Sequence, residues 1–372
     1  MKFHLDRDVL SDAVSWATRT LPQRPAMPIL QGVRIVAEDG ELKFSTFDYE
    51  VSAHISVEAE IDEPGEILVQ GKMLNDIVRA LPHKTVSVTH EGPKVEILCG
   101  SSRFSLATLP VAEYPVLPEM PPVVGTIDSG TFARAIAQVS IAASKDDVVP
   151  LLTGVKVTIE GEKVMMAATD RYRLAVREFT WNPANPSSEL SALVRSRTLT
   201  DVARSLSGGN VEVALSEGDS ANLIGFESSG RRTTSTLVDG DYPPVLRLFP
   251  DVTPYTVSVA TAPLIEAVKR VSLVAERNTP VRLTFSEGQV ALEAGDGDEA
   301  QASEVLEANV EGGDLVVGYN SGFLLDGLGA LGTDFTHFSL PDSVKPTVLR
   351  GQESLEASPE EHYRYLLMPM RI

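Results

Sequence analysis

The polar residues of this sequence do not form a recognised catalytic pattern. Zinc hydrolases bring two imidazoles onto one metal ion through HExxH or HxH spacing, and neither spacing occurs. A GxxxxGKS or GxxxxGKT phosphate-binding loop and a GxSxG nucleophile motif are absent as well. We therefore predict a non-catalytic protein, with no catalytic residue, no metal and no cofactor. The histidines are scattered over positions 4, 54, 83, 90, 337 and 362.

Two groups of carboxylates could still bind an ion or cap a turn. The run GDGDE at residues 295–299 has the composition of a calcium loop but lacks the twelve-residue ligand pattern, so we favour a hydrated hairpin turn. Asp48 and Asp170 each follow a stretch with the pattern of a strand. An aspartate at a strand end commonly accepts hydrogen bonds from nearby backbone N–H groups, and we expect that role for both.

Composition restricts the class of protein. The 372 residues are 43% hydrophobic and 23% charged, which is typical of globular domains. No run of ~18 apolar residues occurs, and the first residues, MKFHLDRDVL, lack the basic and apolar parts of a signal peptide. The single cysteine, Cys99, can form neither an internal disulfide nor a zinc site. We expect a cytoplasmic protein without a membrane segment.

The sequence contains three copies of one pattern. PILQGVRI at residues 28–35 returns as PLLTGVKV at residues 150–157. Repetition at such a long period indicates tandem copies of one structural unit. In each copy a valine lies 15 residues before an aspartate: Val33 and Asp48, Val155 and Asp170, and Val281 and Asp296.

Each copy is expected to contain two helices. Apolar residues at positions i, i+3, i+4 and i+7 form one stripe ahead of each valine, as Leu10, Ala13, Val14 and Ala17 do in the first copy. The second helix of the third copy is Gly-rich. The predicted helices lie within residues 6–20, 70–81, 130–145, 195–206, 261–277 and 319–330.

Alternating apolar stretches between the helices predict antiparallel hairpins, with turns at Asp39-Gly40, Glu160-Gly161 and Glu287-Gly288. The fold class is therefore α+β. Proline-rich segments separate the copies, so we predict three tandem similar domains, over residues 1–124, 125–252 and 253–372.

The charges are distributed unevenly. A net charge of −20 argues at first against a nucleic acid partner, because such a chain repels phosphate. The predicted helices, however, hold 12 basic and 8 acidic residues, against 20 basic and 44 acidic in the remainder. At 100° per residue nine of these basic side chains lie away from the apolar stripes, where they suit a phosphate backbone and predict contact with duplex DNA without base reading. They are Lys72, Arg79, Arg134, Lys145, Arg197, Arg204, Lys269, Arg270 and Arg277.

Five motifs spread over the whole chain carry a family resemblance: PILQG, TFDYEV, AATDRYRLA, DYPPV and the C-terminal YLLMPMRI. Together they resemble the bacterial sliding clamps, the beta subunits of DNA polymerase III. The resemblance implies a homodimeric ring with antiparallel sheets outside and helices lining the pore, which encircles duplex DNA. It also implies a clamp loader, the replicative polymerase and other replication and repair proteins as partners, held through short peptide motifs.

The same resemblance implies a peptide-binding pocket between the second and third domains. The TDRYRL run departs from the common TDGHRL or TDSHRL pattern at Arg171 and Tyr172, which leaves the preferred peptide open. A methionine-rich wall suits several partners, because methionine repacks readily. The implied pocket residues are Leu152, Thr169, Arg171, Tyr172, Arg173, Leu174, Pro243, Arg247, Leu248, Leu366, Leu367, Met368, Pro369, Met370 and Arg371.

Two further sets of residues follow from the resemblance. Arg24 and Arg195 match basic positions that face the duplex, and Phe104, Leu106 and Leu273 match apolar contacts of the subunit interface. The alternative function that the residues leave open is an acidic three-domain scaffold that binds proteins and not DNA.

Overall fold

The computed structural model describes residues 1–206, 208–216, 222–276, 279–295 and 300–372. Arg277, Asp296 and residues 296–299 of the GDGDE run lie outside the described residues. In the described part of the chain, no helix has the length and apolarity needed to cross a membrane.

Helices form at the six predicted places. The apolar stripe of the first one is buried at Leu10, Ala13, Val14 and Ala17, as the spacing predicts. Its N-terminus is capped by Asp6, whose side chain accepts the N–H of Asp8 at 2.7 Å. The helices of the described residues are α1 (Arg7–Ala17), α2 (Gly71–Ala80), α3 (Ser129–Ser140), α4 (Ser196–Ser205), α5 (Thr261–Val271) and α6 (Ser321–Leu331).

The strands are short and antiparallel. The hairpin turns predicted at Asp39-Gly40 and Glu287-Gly288 are present, and the one predicted at Glu160-Gly161 lies one residue later, at Gly161-Glu162, because Glu160 still pairs with Lys163. Asp39 and Gly40 have φ of 51° and 80°, as a two-residue turn between twisted strands requires. The strands are β1 (Lys2–Asp6), β2 (Gly32–Glu38), β3 (Glu41–Phe47), β4 (Val51–Glu58), β5 (Glu60–Glu63), β6 (Gly65–Gln70), β7 (Thr85–Glu91), β8 (Lys94–Cys99), β9 (Ser102–Leu109), β10 (Val123–Asp128), β11 (Gly154–Glu160), β12 (Lys163–Thr169), β13 (Arg173–Thr180), β14 (Asn182–Pro183), β15 (Glu189–Arg195), β16 (Asn210–Leu215), β17 (Leu223–Ser228), β18 (Arg231–Thr236), β19 (Tyr255–Ala260), β20 (Val281–Ser286), β21 (Gln289–Ala294), β22 (Ala302–Glu311), β23 (Leu315–Tyr319), β24 (Phe335–Leu340), β25 (Thr347–Gln352) and β26 (Tyr363–Leu367).

The chain divides into two compact units, each with one open sheet. Unit 1 comprises residues 1–132, 182–185 and 201–237, and unit 2 comprises residues 133–181, 186–200 and 238–372. In unit 1 the strand order is β14-β10-β16-β17-β18-β4-β3-β2-β6-β9-β8-β7-β1-β5. In unit 2 it is β15-β11-β12-β13-β26-β25-β24-β19-β22-β21-β20-β23.

Strands of neighbouring repeats join edge to edge within each unit. In unit 1, β4 of the first repeat pairs with β18 of the second. In unit 2, β13 of the second repeat pairs with β26 of the third. The boundary between the two compact units therefore follows the sheets and divides the middle repeat between them. The predicted domain boundaries follow the sequence repeats instead, and they stay a prediction.

Candidate functional site

An apolar cluster surrounds the joint between β13 and β26 in unit 2. Leu174 lies directly opposite Leu366 in the antiparallel register, and both are buried. Val245, in the short 3-10 turn Val245–Leu248, packs against them. Tyr242 and Phe249, at either side of that turn, cover the same cluster. The segment 242–249 therefore covers the joint of the two strands. We call the exposed surface beside this segment the groove, the segment its wall and the two covered strands its floor.

The turn between β12 and β13 lies at the end of this floor. Asp170 accepts the backbone N–H groups of Tyr172 at 3.0 Å and Arg173 at 3.1 Å through one carboxylate oxygen. Thr169 accepts the N–H of Arg171 on its hydroxyl at 3.2 Å. This confirms the predicted role of Asp170 as a cap for local backbone. Asp48 does the same in unit 1, where it accepts the N–H groups of Glu50 and Val51.

Hydrogen bonds connect the turn to the segment 242–249 and to the end of β26. The hydroxyl of Tyr242 accepts the N–H of Thr169 at 3.0 Å, and the N–H of Met368 donates to the carbonyl of Tyr172 at 2.9 Å. Burial raises the pKa of Tyr242 to about 12, so its hydroxyl stays protonated at neutral pH. The positions of Tyr172 and Met368 relative to the floor are thus set by backbone bonds.

Arg173 is a buried cation that stabilises the turn from behind. Its guanidinium donates to Asp170 at 2.9 Å and Asp326 at 2.6 Å, and its carbon lies 4.2 Å from the ring centre of Phe323. Burial would lower the pKa of Arg173, but the hydrogen bonds to Asp326, Tyr365 and Asp170 raise it above its ordinary value. With these partners, the buried guanidinium of Arg173 holds the turn between β12 and β13 in one geometry.

The rim of the groove exposes both apolar and basic side chains. Leu246, Leu248 and Met368 expose 43%, 53% and 38% of their surface, and Tyr172 exposes 64% while stacking on Phe323. Of the predicted pocket residues, Leu152, Thr169, Arg173, Leu174, Leu366 and Leu367 are buried, Pro369 and Met370 are half-buried, and Arg171, Tyr172, Pro243, Arg247, Leu248, Met368 and Arg371 are exposed.

Several residues of the groove were missed by the sequence interpretation. Tyr242, Leu246, Phe323 and Asp326 contribute the wall, the rim and the support of Arg173, although none was predicted. A signal existed for Tyr242, because EYPV in the first repeat and DYPP in the second place a tyrosine before proline at the same point. Phe323 and Asp326 lie on α6, about 150 residues from Arg173, so no local pattern connects them.

Most of the predicted basic residues that the structure describes are exposed. Lys269 pairs with Glu266 at 2.8 Å and Arg270 pairs with Glu304 at 2.5 Å, so their charges are partly compensated. Arg195 is half-buried at the end of β15. Arg24, Lys72, Arg79 and Arg204 in unit 1 and Arg134, Lys145 and Arg197 in unit 2 are exposed.

The apolar residues predicted for a subunit interface differ in exposure. Leu273 exposes 84% of its surface in unit 2, and Phe104 exposes 36% in unit 1. Phe104 lines a shallow groove of about 370 Å³ with Met73 and Ile77 of α2. Leu106 is only 4% exposed, because alternation along β9 turns it into the core. Leu106 therefore belongs to the core beneath this surface.

Two strands have edges that are unpaired over part of their length. Among the described residues, Ser102–Ala107 of β9 form ladder bonds with β8 alone, because β6 pairs only with Thr108 and Leu109. In unit 2, Ala302–Glu307 of β22 pair with β21 alone, and Val305 on this stretch is 57% exposed. Exposed edges of this kind are templates for pairing with another chain.

Within the described ranges, no three His, Cys, Asp or Glu side chains are grouped as metal ligands would be. A cleft of about 750 Å³ in unit 1 is lined by five carboxylates, which suits neither an apolar nor an anionic ligand. They are Asp6, Asp39, Glu41, Glu58 and Glu60.

Comparisons with known proteins agree over the whole length. Models of the N-terminal, central and C-terminal domains of the DNA polymerase III beta subunit match residues 1–118, 126–244 and 246–371. The beta sliding clamp of Streptomyces coelicolor is 52% identical over 374 residues, covering 100% of both chains. That of Micrococcus luteus is 54% identical over 312 residues, covering 84% of this chain and all of its own.

A solved structure gives the same result for the fold. The sliding clamp of Pseudomonas aeruginosa, described as bound to griselimycin, superposes with a TM-score of 0.93 at 28% identity and covers 100% of both chains. The three tandem clamp domains predicted from the repeats are therefore confirmed as the fold. The chain belongs to the DNA polymerase III beta subunit family, the bacterial sliding clamps, which are non-catalytic processivity factors of DNA replication.

Proposed function

We propose that two copies of this chain close into a ring around duplex DNA and tether the replicative polymerase to it in the cytoplasm. A tethered polymerase meets the primer end again before it can diffuse away, so dissociation no longer ends synthesis. The observation that carries this proposal is the basic character of the helices in a chain with a net charge of −20.

Four of the proposed DNA-facing residues carry an exposed charge that no ion pair compensates in the described part of the chain. Within the described ranges, Lys72 and Arg79 of α2 and Arg197 and Arg204 of α4 are exposed and form no ion pair. Contacts to phosphate need positive charge without base-reading geometry, which allows the ring to slide. Arg24, Arg134, Lys145, Arg195, Lys269, Arg270 and Arg277 complete the proposed set.

The experiment is charge reversal of Lys72, Arg79, Arg197 and Arg204 to glutamate, with the amount of protein that the clamp loader places on nicked circular DNA as the readout. Lost phosphate contacts should lower the loaded amount by about tenfold at moderate salt. A control reverses Lys84, Lys94, Lys163 and Lys345, which are exposed and lie outside the helices. Equal loading of the two variants would favour the acidic scaffold that binds proteins only.

The ring closes, in this proposal, through the two unpaired strand edges. β9 of one copy would extend the sheet that contains β22 of the other, with Phe104 and Leu273 covering the joint. Exposed apolar side chains flank both edges, which gives the pairing a hydrophobic contribution of the kind that stable dimers need. Three domains per chain then give six in the circle.

The groove at β13 and β26 is proposed as the site where the clamp loader, the polymerase and other replication and repair proteins dock. Its exposed Leu246, Leu248 and Met368 suit short peptides of differing sequence, because apolar anchors can pack against them and methionine repacks readily. The Pseudomonas relative described as bound to griselimycin gives support, since a clamp of this fold accommodates a ligand. The residues are those implied by the resemblance, together with Tyr242 and Leu246.

A further inference from the structure

Two arginine side chains lie opposite each other where β25 and β26 pair in unit 2. Leu349 is the register partner of Tyr365, so the next residues along the two strands, Arg350 and Arg364, are neighbours on the same face of the sheet. Both side chains are half-buried. Like charges at directly opposite positions of an antiparallel pair repel each other, so this pair needs negative charge nearby.

Among the residues that the structure describes, a carboxylate neutralises Arg364 but not Arg350. Arg364 donates to Glu178 at 2.8 Å, and its guanidinium carbon lies 4.6 Å from the ring centre of Phe249. Arg350 donates to the hydroxyl of Ser339 at 3.1 Å and forms no ion pair in the described part of the chain. Arg350 therefore carries a charge that the described chain does not neutralise at contact distance.

The Nε atoms of both arginines also lack an acceptor. Each Nε of Arg350 and Arg364 is buried, and neither has a hydrogen-bond partner among the described residues. A buried N–H without an acceptor is destabilising, and more so when it belongs to a charged group. Two such donors on adjacent strands mark a place where the oxygen atoms of an anion would be held.

The other titratable groups around Arg350 do not bind it. His337 is its register partner on β24, and burial lowers the pKa of His337 to about 4, so the ring is neutral at neutral pH. Glu360 is taken by an ion pair with Arg177. Burial lowers the pKa of Arg350 and the charge of the exposed Glu361 offsets part of that effect, but no ion pair joins these two described residues. Arg350 is therefore available to an anion from solution.

We propose that the surface around Arg350 and Arg364 is a binding site for a tetrahedral oxyanion of the phosphate class. The two guanidinium groups lie on β25 and β26, and Ser339 on β24 keeps its own O–H to donate. Donors that converge from three strands match a tetrahedral anion better than a planar carboxylate, and guanidinium groups suit phosphate oxygens in particular. Neither the proposed ring nor the proposed peptide groove enters this inference.

The test measures the urea midpoint of the full-length protein at rising concentrations of sodium phosphate, against sodium chloride and sodium acetate of equal ionic strength. An anion that binds only the folded chain raises the midpoint, and we expect half of the effect at about 1 mM phosphate. Arg350→Gln should weaken phosphate binding about tenfold, and Arg350→Lys should weaken it less because it keeps the charge. In chloride, Arg350→Gln should not lower the midpoint, because it removes the repulsion from Arg364.

Two further variants exclude a general salt effect, since phosphate stabilises many folded proteins. Lys163→Gln removes one exposed charge elsewhere in unit 2 and should leave the phosphate effect unchanged. Glu361→Gln should tighten phosphate binding about threefold, because it removes a competing negative charge. N-acetyl-phosphoserine amide in place of phosphate distinguishes a site for phosphorylated side chains, which binds both compounds, from a site for the free ion.

Three results would overturn the proposal. Equal midpoint shifts in the unmodified protein, Arg350→Gln and Lys163→Gln would mean that phosphate acts on folding as a salt and not at this site. A shift in acetate as large as that in phosphate would contradict the tetrahedral class. Unchanged or weaker phosphate binding in Glu361→Gln would mean that no anion binds beside Arg350.

Discussion

The hydroxyl of Tyr242 accepts the backbone N–H of Thr169 at 3.0 Å, which ties the segment that leaves the second repeat to the end of β12. Tyr114 forms the same bond to the N–H of Phe47 in unit 1, at 2.7 Å. Burial raises the pKa of both tyrosines to about 12. The two units therefore have the same tyrosine-to-backbone hydrogen bond at equivalent positions.

The paired strand residues near these two hydrogen bonds differ in chemistry between the units. Leu174 and Leu366 face each other in unit 2, whereas the equivalent pair in unit 1 is Ser52 and Thr234, whose hydroxyls bond each other at 2.5 Å. A hydroxyl pair that satisfies itself offers little to an apolar side chain. The peptide site is accordingly proposed at the apolar pair of unit 2 and not at the corresponding place in unit 1.

Tyr242→Phe tests whether the hydrogen bond between Tyr242 and Thr169 supports the groove. The change leaves the N–H of Thr169 without its partner, which should lower the free energy of unfolding by about 1–3 kcal/mol. Binding of a labelled apolar peptide should weaken severalfold, because the wall loses its anchor. Urea unfolding and anisotropy measure the two effects.

Tyr114→Phe provides the matched control, since it removes the same kind of bond in unit 1. It should lower stability by a similar amount and leave peptide affinity unchanged. If the two variants weaken peptide binding equally, the effect is one of general stability, and the groove account loses its support.

A pH dependence follows from His337. Burial, with a smaller contribution from the charge of Arg350, lowers the pKa of His337 from 6.5 to about 4, and its Nδ1 atom lies 3.1 Å from the hydroxyl of Ser258. The unfolded chain therefore takes up a proton near pH 6.5 that the folded chain refuses until about pH 4. Stability should fall as the pH drops through this window.

The size of this effect is reduced by the incomplete burial of the ring. We expect a loss of about 1 kcal/mol between pH 6.5 and pH 5, measured by urea unfolding. His337→Gln should reduce the pH dependence over that range. An unchanged pH profile in this variant would show that another group is responsible.

Leu273→Asp tests the proposed subunit interface. Leu273 exposes 84% of its surface, so a carboxylate there costs the folded chain little but cannot be buried against a second copy. The mass in solution should change from twice 40.1 kDa to 40.1 kDa at micromolar concentration. Val344→Asp, at a residue that is 75% exposed in the same unit, should remain at the larger mass. Light scattering after gel filtration distinguishes these results.

The helices, strands and turns were largely predictable from the sequence, but the strand pairings that connect neighbouring repeats were not. The stripe of Leu10, Ala13, Val14 and Ala17 predicts α1 because a helix repeats every 3.6 residues, and Asp39-Gly40 predicts a turn from its backbone preference. Neither rule specifies which strand edges meet. The pairing of β13 with β26 joins residues about 190 apart and is decided by packing of the whole unit.

The candidate site also has a part that local sequence predicts and a part that only the fold reveals. The TDRYRL and YLLMPM motifs identified the floor and the turn, since both are local sequences. The burial of Arg173 depends on Phe323 and Asp326 from α6, which no spacing in the sequence reveals. Leu106 was interpreted as an interface contact, and only the alternation of β9 in the folded sheet assigns it to the core.

The most direct test of the ring is topological. The protein is loaded onto nicked circular DNA by the clamp loader, freed of unbound protein by gel filtration, and divided, and one portion is cut with a restriction enzyme that cleaves once. A closed ring should stay on the circle and slide off the linear molecule within minutes. Equal retention on both forms would mean that the protein binds the surface of the duplex without enclosing it, and would contradict the central claim.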